Sequence, residues 1–257
     1  MEDKKNISIE EKAEIISEKY DTGATRKLLG YYAIAFTIIA IVLSAFHLYT
    51  AGFGLLLSMK QRTIHWMLLL VILFMYFPAA KKSSRVRPSA IDIVLIIGSI
   101  ISSLYLLLNY ESIIVRGGIP TGMDMVMGVI MILITLEATR RAVGKELLII
   151  CLAFIAYAAL GNYAPGVLAH KGFSLSRIVG QLYLTTEGIF GIPLDVSATY
   201  LVLFIFFGAV LKETGLDLFF RDVSLAIAGR IAGGPAQVAV VASGLFGSIN
   251  GSATANV

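Results

Sequence analysis

The chain has 257 residues, 57% of them hydrophobic and 15% charged, with a mean hydropathy of +0.83; a soluble domain carries about 25% charged residues, so this composition excludes one. The net charge of +4 and pI near 9.1 suit a nucleic-acid binder on paper, but Lys and Arg fall in the gaps between apolar runs instead of on one basic face, so the implied partner is the lipid bilayer and no nucleic acid. The single cysteine, Cys151, lies inside an apolar run, can form no intrachain disulfide, and reads as a small buried hydrophobe.

Residues 1–27 are polar, and Ser8 and Glu11 stand at capping-box spacing ahead of Ala13, Ile15, Ile16 and Tyr20, which predicts a short solvated amphipathic helix. No apolar core followed by a small-residue cleavage site opens the chain, so the first apolar run is expected to stay in the membrane. A hydrocarbon core of about 30 Å needs roughly 20 apolar residues. Six runs come close: Leu28–Leu48, Thr63–Ala80, Ala90–Leu108, Met123–Thr139, Glu146–Tyr163 and Val196–Leu211, the last being short. Counting Lys plus Arg on alternate sides of these spans divides them sixteen against five, the richer side holding residues 1–27, 81–88, 140–145 and the stretch after the sixth span with Lys212, Arg221 and Arg230. The positive-inside rule then places the N-terminus in the cytoplasm.

Two stretches between and after spans are too polar to face lipid. Residues 172–192 mix apolar positions with Ser174, Ser176, Arg177, Gln181 and Glu187, which predicts an interfacial helix on the outer side. Residues 215–230 set Phe219, Phe220, Leu225 and Ile227 against Asp217, Arg221 and Asp222, which predicts a helix along the inner surface.

Within the spans, Glu137 precedes Arg140 and Arg141 by three and four residues, on one helix face. A structural ion pair is the preferred reading, with a proton relay as the functional one. His47 and His65 stand near span ends and read as interfacial or packing residues, because no Cys, Asp or further His lies at metal spacing. Asp92, Asp124 and Asp195 each open a span, where an acid suits the helix N-terminus. Trp66 fits an aromatic belt.

The last 25 residues differ from everything before them. Pro235 suits the first position of a helix, and the 12 residues from Pro235 to Phe246 span roughly 18 Å, a little past the middle of a bilayer. Gly247 to Asn256 are then small and rich in hydroxyl and amide groups. Such a segment at membrane depth is tolerated where it faces protein or a water-filled cavity. Two readings stay open: a small-residue packing interface, or a half-helix whose tip offers oxygen ligands to a monovalent cation and a helix N-terminus to an anion.

The string GGPAQVAVVASGLFGSINGSATANV resembles the first hairpin of the large permease of TRAP transporters, in the branch that fuses small and large membrane subunits (the 4TM/12TM type) and works with a TAXI-type binding protein. The similarity extends to Leu136–Gly144, Gly188–Pro193 and Leu203–Ala209, so it covers roughly residues 120–257; residues 1–119 are similar mainly in hydropathy. Asn250 departs from the Ser more usual at that place, keeping an oxygen ligand of different size. The resemblance implies a cytoplasmic segment 1–27, a four-helix small-subunit-like scaffold 28–141, and the start of a transport domain 142–257. It also implies sodium as the coupling ion with no other cofactor, organic acid anions such as carboxylates as substrate, an extracytoplasmic TAXI-type binding protein as partner, and a further C-terminal half of the permease beyond Val257.

The fold class expected is therefore an all-α integral membrane protein with about six transmembrane helices, interfacial helices and the first arm of a re-entrant helical hairpin. Ser248, Asn250, Gly251, Ser252, Thr254 and Asn256 are the candidates for the cation and substrate tip, with Gly247 and Gly251 supplying backbone freedom. The alternative is a non-transporting scaffold or assembly subunit. An intramembrane serine protease is a poor fit, since Val241-Ala242-Ser243-Gly244 lacks the first Gly of a GxSG turn and no His follows in a later span.

Overall fold

In hydrocarbon no water pairs with the backbone, so each apolar run must satisfy its N–H and C=O groups internally, and the helix is the local solution. A computed structural model describes residues 25–80, 83–84, 86–228 and 234–250, and all regular structure in it is helical. The elements are α1 (Tyr31–Phe53), α2 (Ser58–Tyr76), α3 (Ala90–Leu108), the short α4 (Tyr110–Val115), α5 (Gly122–Ala142) and α6 (Lys145–Leu160). After two 3-10 turns come α7 (Leu175–Val179), α8 (Ile192–Val196), α9 (Val202–Glu213), α10 (Leu216–Ala228) and α11 (Gly234–Asn250). The amphipathic helix expected around Ser8 and Glu11 lies outside the described residues.

Among the described residues five segments are long and apolar enough to cross a membrane: Tyr31–Phe53, Ala90–Leu108, Gly122–Ala142, Lys145–Tyr163 and Ile192–Leu211. The chain is thus a multi-pass membrane protein. The sixth expected span, read as Thr63–Ala80, is α2, which begins five residues earlier at Ser58 and so takes in Lys60, Gln61 and Arg62. The last span is longer than the sequence suggested because α8 and α9 are joined by a π-helical turn, Ser197–Leu201. A second π-turn, Gly180–Leu184, extends α7.

Helix starts are fixed by side chains. Ser89 and Thr121 each cap the helix that follows, and Asp92 and Asp124 at the third helical position answer with bonds to the capping residue's N–H. These reciprocal capping boxes satisfy donors that helix geometry leaves over. Between α5 and α6 the turn is made by Gly144 at φ +129°, a backbone region that favours glycine.

The described residues divide into two compact units: one holds those up to Ile41 together with Trp66–Ile189, the other Val42–His65 together with those from Phe190 onward. In the first, α5 is the central element and packs against α3, α6 and α7. Gly128 lets α7 come close, since a Cβ there would lie 2.4 Å from Val179 Cγ1. Its core includes Leu70, Phe74, Leu106, Met131, Val179 and Tyr183. The segment 175–184, expected at an interface, presses its apolar face onto α5 and exposes Ser176 and Arg177. In the second unit, α9, α10 and α11 pack on one another and Phe190, Leu194 and Ala198 are buried.

Candidate functional site

Helix α11 carries the string on which the sequence reading of the site rests. It is helical from Gly234 through Asn250, 17 residues, or about 25 Å at 1.5 Å per residue. The helix expected to end at Phe246 therefore runs four residues further, through Gly247, Ser248 and Asn250. Weak helix formers yield here because an unpaired backbone costs more than their propensity deficit in an apolar setting. Of the six candidate residues, Ser248 and Asn250 stand in the last turn of α11. Gly251, Ser252, Thr254 and Asn256 lie outside the described residues.

A polar site that sequence reasoning undervalued sits in the same unit. His47 near the C-terminal end of α1 and His65 in α2 are 1% and 2% exposed. Their rings meet, His47 Nε2 lying 2.8 Å from His65 Nδ1. His65 Nε2 continues to Ser197 Oγ at 3.0 Å. With both rings neutral, a single proton lies between the facing nitrogens, so one tautomer of each ring is selected by the other. Beside them the buried Gln61 donates from Nε2 to Thr50 Oγ1 and to Ala198 O, both at 3.3 Å. Its Oε1 is buried with no hydrogen-bond partner among the described residues.

One turn away, Arg62 Nε donates to Asp195 Oδ1 at 2.8 Å and Nη1 to Phe190 O at 2.6 Å. Asp195 thus holds an arginine as well as opening its helix. Each contact explains why a polar residue can stand at membrane depth: it is paired, and its partners come from other elements. Ser197 and Ala198 belong to the π-turn, and such turns expose carbonyls that an α-helix would consume. The signal available beforehand was spacing. Gln61, Arg62 and His65 fall at i, i+1 and i+4, and His47 and Thr50 at i and i+3, each pair of turns giving one polar face in an apolar helix.

The charges of the first unit have a different character. Asp92 is fully buried and receives Arg26 Nη2 at 2.6 Å and Arg141 Nη1. Arg26 also donates to Phe74 O, Met75 O and Ser84 O. Glu137 takes both Nε and Nη2 of Arg140 at 2.7 and 2.8 Å and Nε of Arg141 at 2.7 Å. Arg140 and Arg141 go on to Ala79 O and Phe77 O. Glu137 is therefore part of a five-residue ion-pair network joining the end of α2, the start of α3 and the end of α5, which is the structural reading. Asp124 likewise gathers Tyr105, Arg116 and Thr121. Trp66 donates to Thr135 Oγ1 of α5 at 3.4 Å. Deeper in this unit the Tyr183 hydroxyl donates to Ser102 O at 2.6 Å, and burial pushes its phenol well above the usual tyrosine range.

Among the described residues no group of three or more His, Cys, Asp or Glu could hold a metal ion. What the arrangement offers is hydrogen bonding at membrane depth and, in α11, a run of small and oxygen-bearing residues. Residues 130–257 match the family model of the tripartite ATP-independent periplasmic transporter, DctM component. No curated protein and no solved structure matches the chain.

Proposed function

We propose that this chain is a membrane permease component of a TRAP-type secondary transporter, sodium-coupled and dependent on an extracytoplasmic binding protein, that moves organic acid anions. The observation that carries this reading is the family match over residues 130–257, a region that takes in most of α5 and everything after it. Transport of this class needs no covalent chemistry. It needs a cavity at membrane depth where backbone and side-chain oxygens replace the hydration of a cation while a helix N-terminus faces the anion.

Ser248, Asn250, Gly251, Ser252, Thr254 and Asn256 are the proposed oxygen donors, with glycine carbonyls completing the set. Sodium is a hard cation and takes oxygen ligands, which these residue types supply without adding charge. The binding partner is proposed to be of TAXI type and the permease of the fused small-and-large form. Residues 28–141 are then the scaffold and 142–257 the opening of the transport domain, with the N-terminus on the cytoplasmic side of the inner membrane.

The test is uptake of labelled mono- and dicarboxylates into proteoliposomes holding the permease as its gene encodes it, together with its binding protein, with and without a sodium gradient. Loss of one oxygen ligand to a charged group is worth roughly 1.5–3 kcal/mol, so Ser252→Ala and Asn250→Ala should each raise the half-saturating sodium concentration about tenfold or more. Sodium dependence unchanged in both variants overturns the site assignment. No carboxylate uptake under any gradient favours the scaffold alternative instead.

A further inference from the structure

The spans differ in how much of their surface other helices cover, and α6 has no fully buried side chain among its described residues. On one flank of α6, Phe154, Ile155 and Ala158 fall at i, i+1 and i+4 and form one wall of a groove of about 460 Å³. Ile178 and Leu182, on α7 and its π-turn, form the other wall. The volume lies within the roughly 300–1,000 Å³ typical of small-molecule sites. The groove is open along one side, and its walls are hydrocarbon.

Its rim is polar and basic. Arg177 on α7 and Gln181 on the π-turn that extends it, four residues apart, line the same groove. Arg26, Arg62, Arg116, Arg140 and Arg141 each hold a carboxylate, whereas Arg177 forms no ion pair among the described residues. Its guanidinium lies 4.9 Å from the Phe173 ring, which also lines the groove. Stacking on an aromatic face fixes the guanidinium plane and leaves its N–H fork free, the geometry in which arginine recognises phosphate.

We propose that this groove is a binding site for an anionic phospholipid of the leaflet at the C-terminal end of α6. The phosphate sits on Arg177 with the Gln181 amide beside it, and one acyl chain fills the slot between α6 and α7. A zwitterionic lipid is disfavoured because it brings its own ammonium group to the same place as the guanidinium. A charge of this kind near a membrane surface favours an anionic headgroup about fivefold.

The test uses the full chain reconstituted in bilayers of equal parts phosphatidylglycerol and phosphatidylcholine, extracted in mild detergent, with retained lipid identified by mass spectrometry. Phosphatidylglycerol should exceed phosphatidylcholine about fivefold in the parent protein. The excess should disappear in Arg177→Gln and persist in Lys171→Gln, which removes an equal charge from the same connection. Ala158→Trp fills the slot with Arg177 in place and should lower retention of both lipids, while excess inorganic phosphate should displace neither. Equal retention of the two lipids by the parent overturns the proposal. So does an excess that survives in folded Arg177→Gln, that is lost equally in Lys171→Gln, or that free phosphate removes.

Discussion

Asp92 shows how a single side chain closes a local account at membrane depth. It accepts from Arg26 and Arg141 and from the Ser89 N–H, and its side chain is fully buried. Replacing it by Asn keeps the shape but leaves the buried Arg26 without a carboxylate and Arg141 with Glu137 alone. Breaking a buried pair from one side costs about 3–5 kcal/mol, so Asp92→Asn should lose most of the cooperative unfolding transition in detergent. Arg26→Met leaves Asp92 with Arg141 and should cost distinctly less; equal losses would mean that Asp92 acts as a helix cap alone. The His47–His65 pair makes a second test. Phe at either position leaves the other ring with one unpaired buried nitrogen, at about 1–3 kcal/mol. The double variant should cost less than the sum, and a strictly additive cycle would show that the 2.8 Å contact carries no coupling. Neither network was legible as a network. The Glu137–Arg140–Arg141 spacing announced an ion pair, but Arg26 and Asp92 are 66 positions apart and no local pattern links them.

At the scale of elements, hydropathy located the spans because length and apolarity are what a bilayer demands, and α3 begins and ends where the apolar run does. It misplaced α2 for a physical reason. Lys60 and Arg62 read as a loop, yet Arg62 is held by Asp195 and Phe190 O, partners that only the folded chain supplies. The π-turns left no trace in periodicity, and the end of α11 was set by glycine and serine propensities that the helix overrides. The tip of the candidate site was legible as composition only, since its geometry depends on residues beyond Asn250. Packing between elements gives its own prediction. A methyl group at Gly128 would meet Val179 Cγ1 at 2.4 Å and Tyr183 Cδ1 at 3.0 Å, so Gly128→Ala must push α7 away from α5. Overpacking of that kind costs about 1–3 kcal/mol and should lower Tm. Gly52→Ala, with nothing within 4 Å of its Cβ, should leave Tm unchanged or raise it. If both variants melt alike, the α5–α7 contact is not close-packed.

For the whole molecule, the question that composition raises is which loops share a side of the membrane. Arg26, before α1, bonds to Phe74 O and Ser84 O at and beyond the end of α2, and His47 near the end of α1 bonds to His65 in α2. The start of α1 and the end of α2 therefore meet, so the connection after α2 lies beside residues 25–27. Residues 25–27 and the loop around Val86 then lie on one side. From Val86 to Val167 the chain passes through α3, α5 and α6, three segments each long and apolar enough to cross, and an odd number of crossings puts Val167 on the other side. The lysines and arginines, sixteen against five, lead us to propose that the Val86 side is the cytoplasmic one. Both positions are exposed, so a cysteine at either, in a Cys151→Ala background, is accessible to label. An impermeant maleimide applied to intact spheroplasts should modify Val167→Cys at once and Val86→Cys only after permeabilisation. The reverse pattern would invert the proposed topology; labelling of both from outside would remove one of the three crossings.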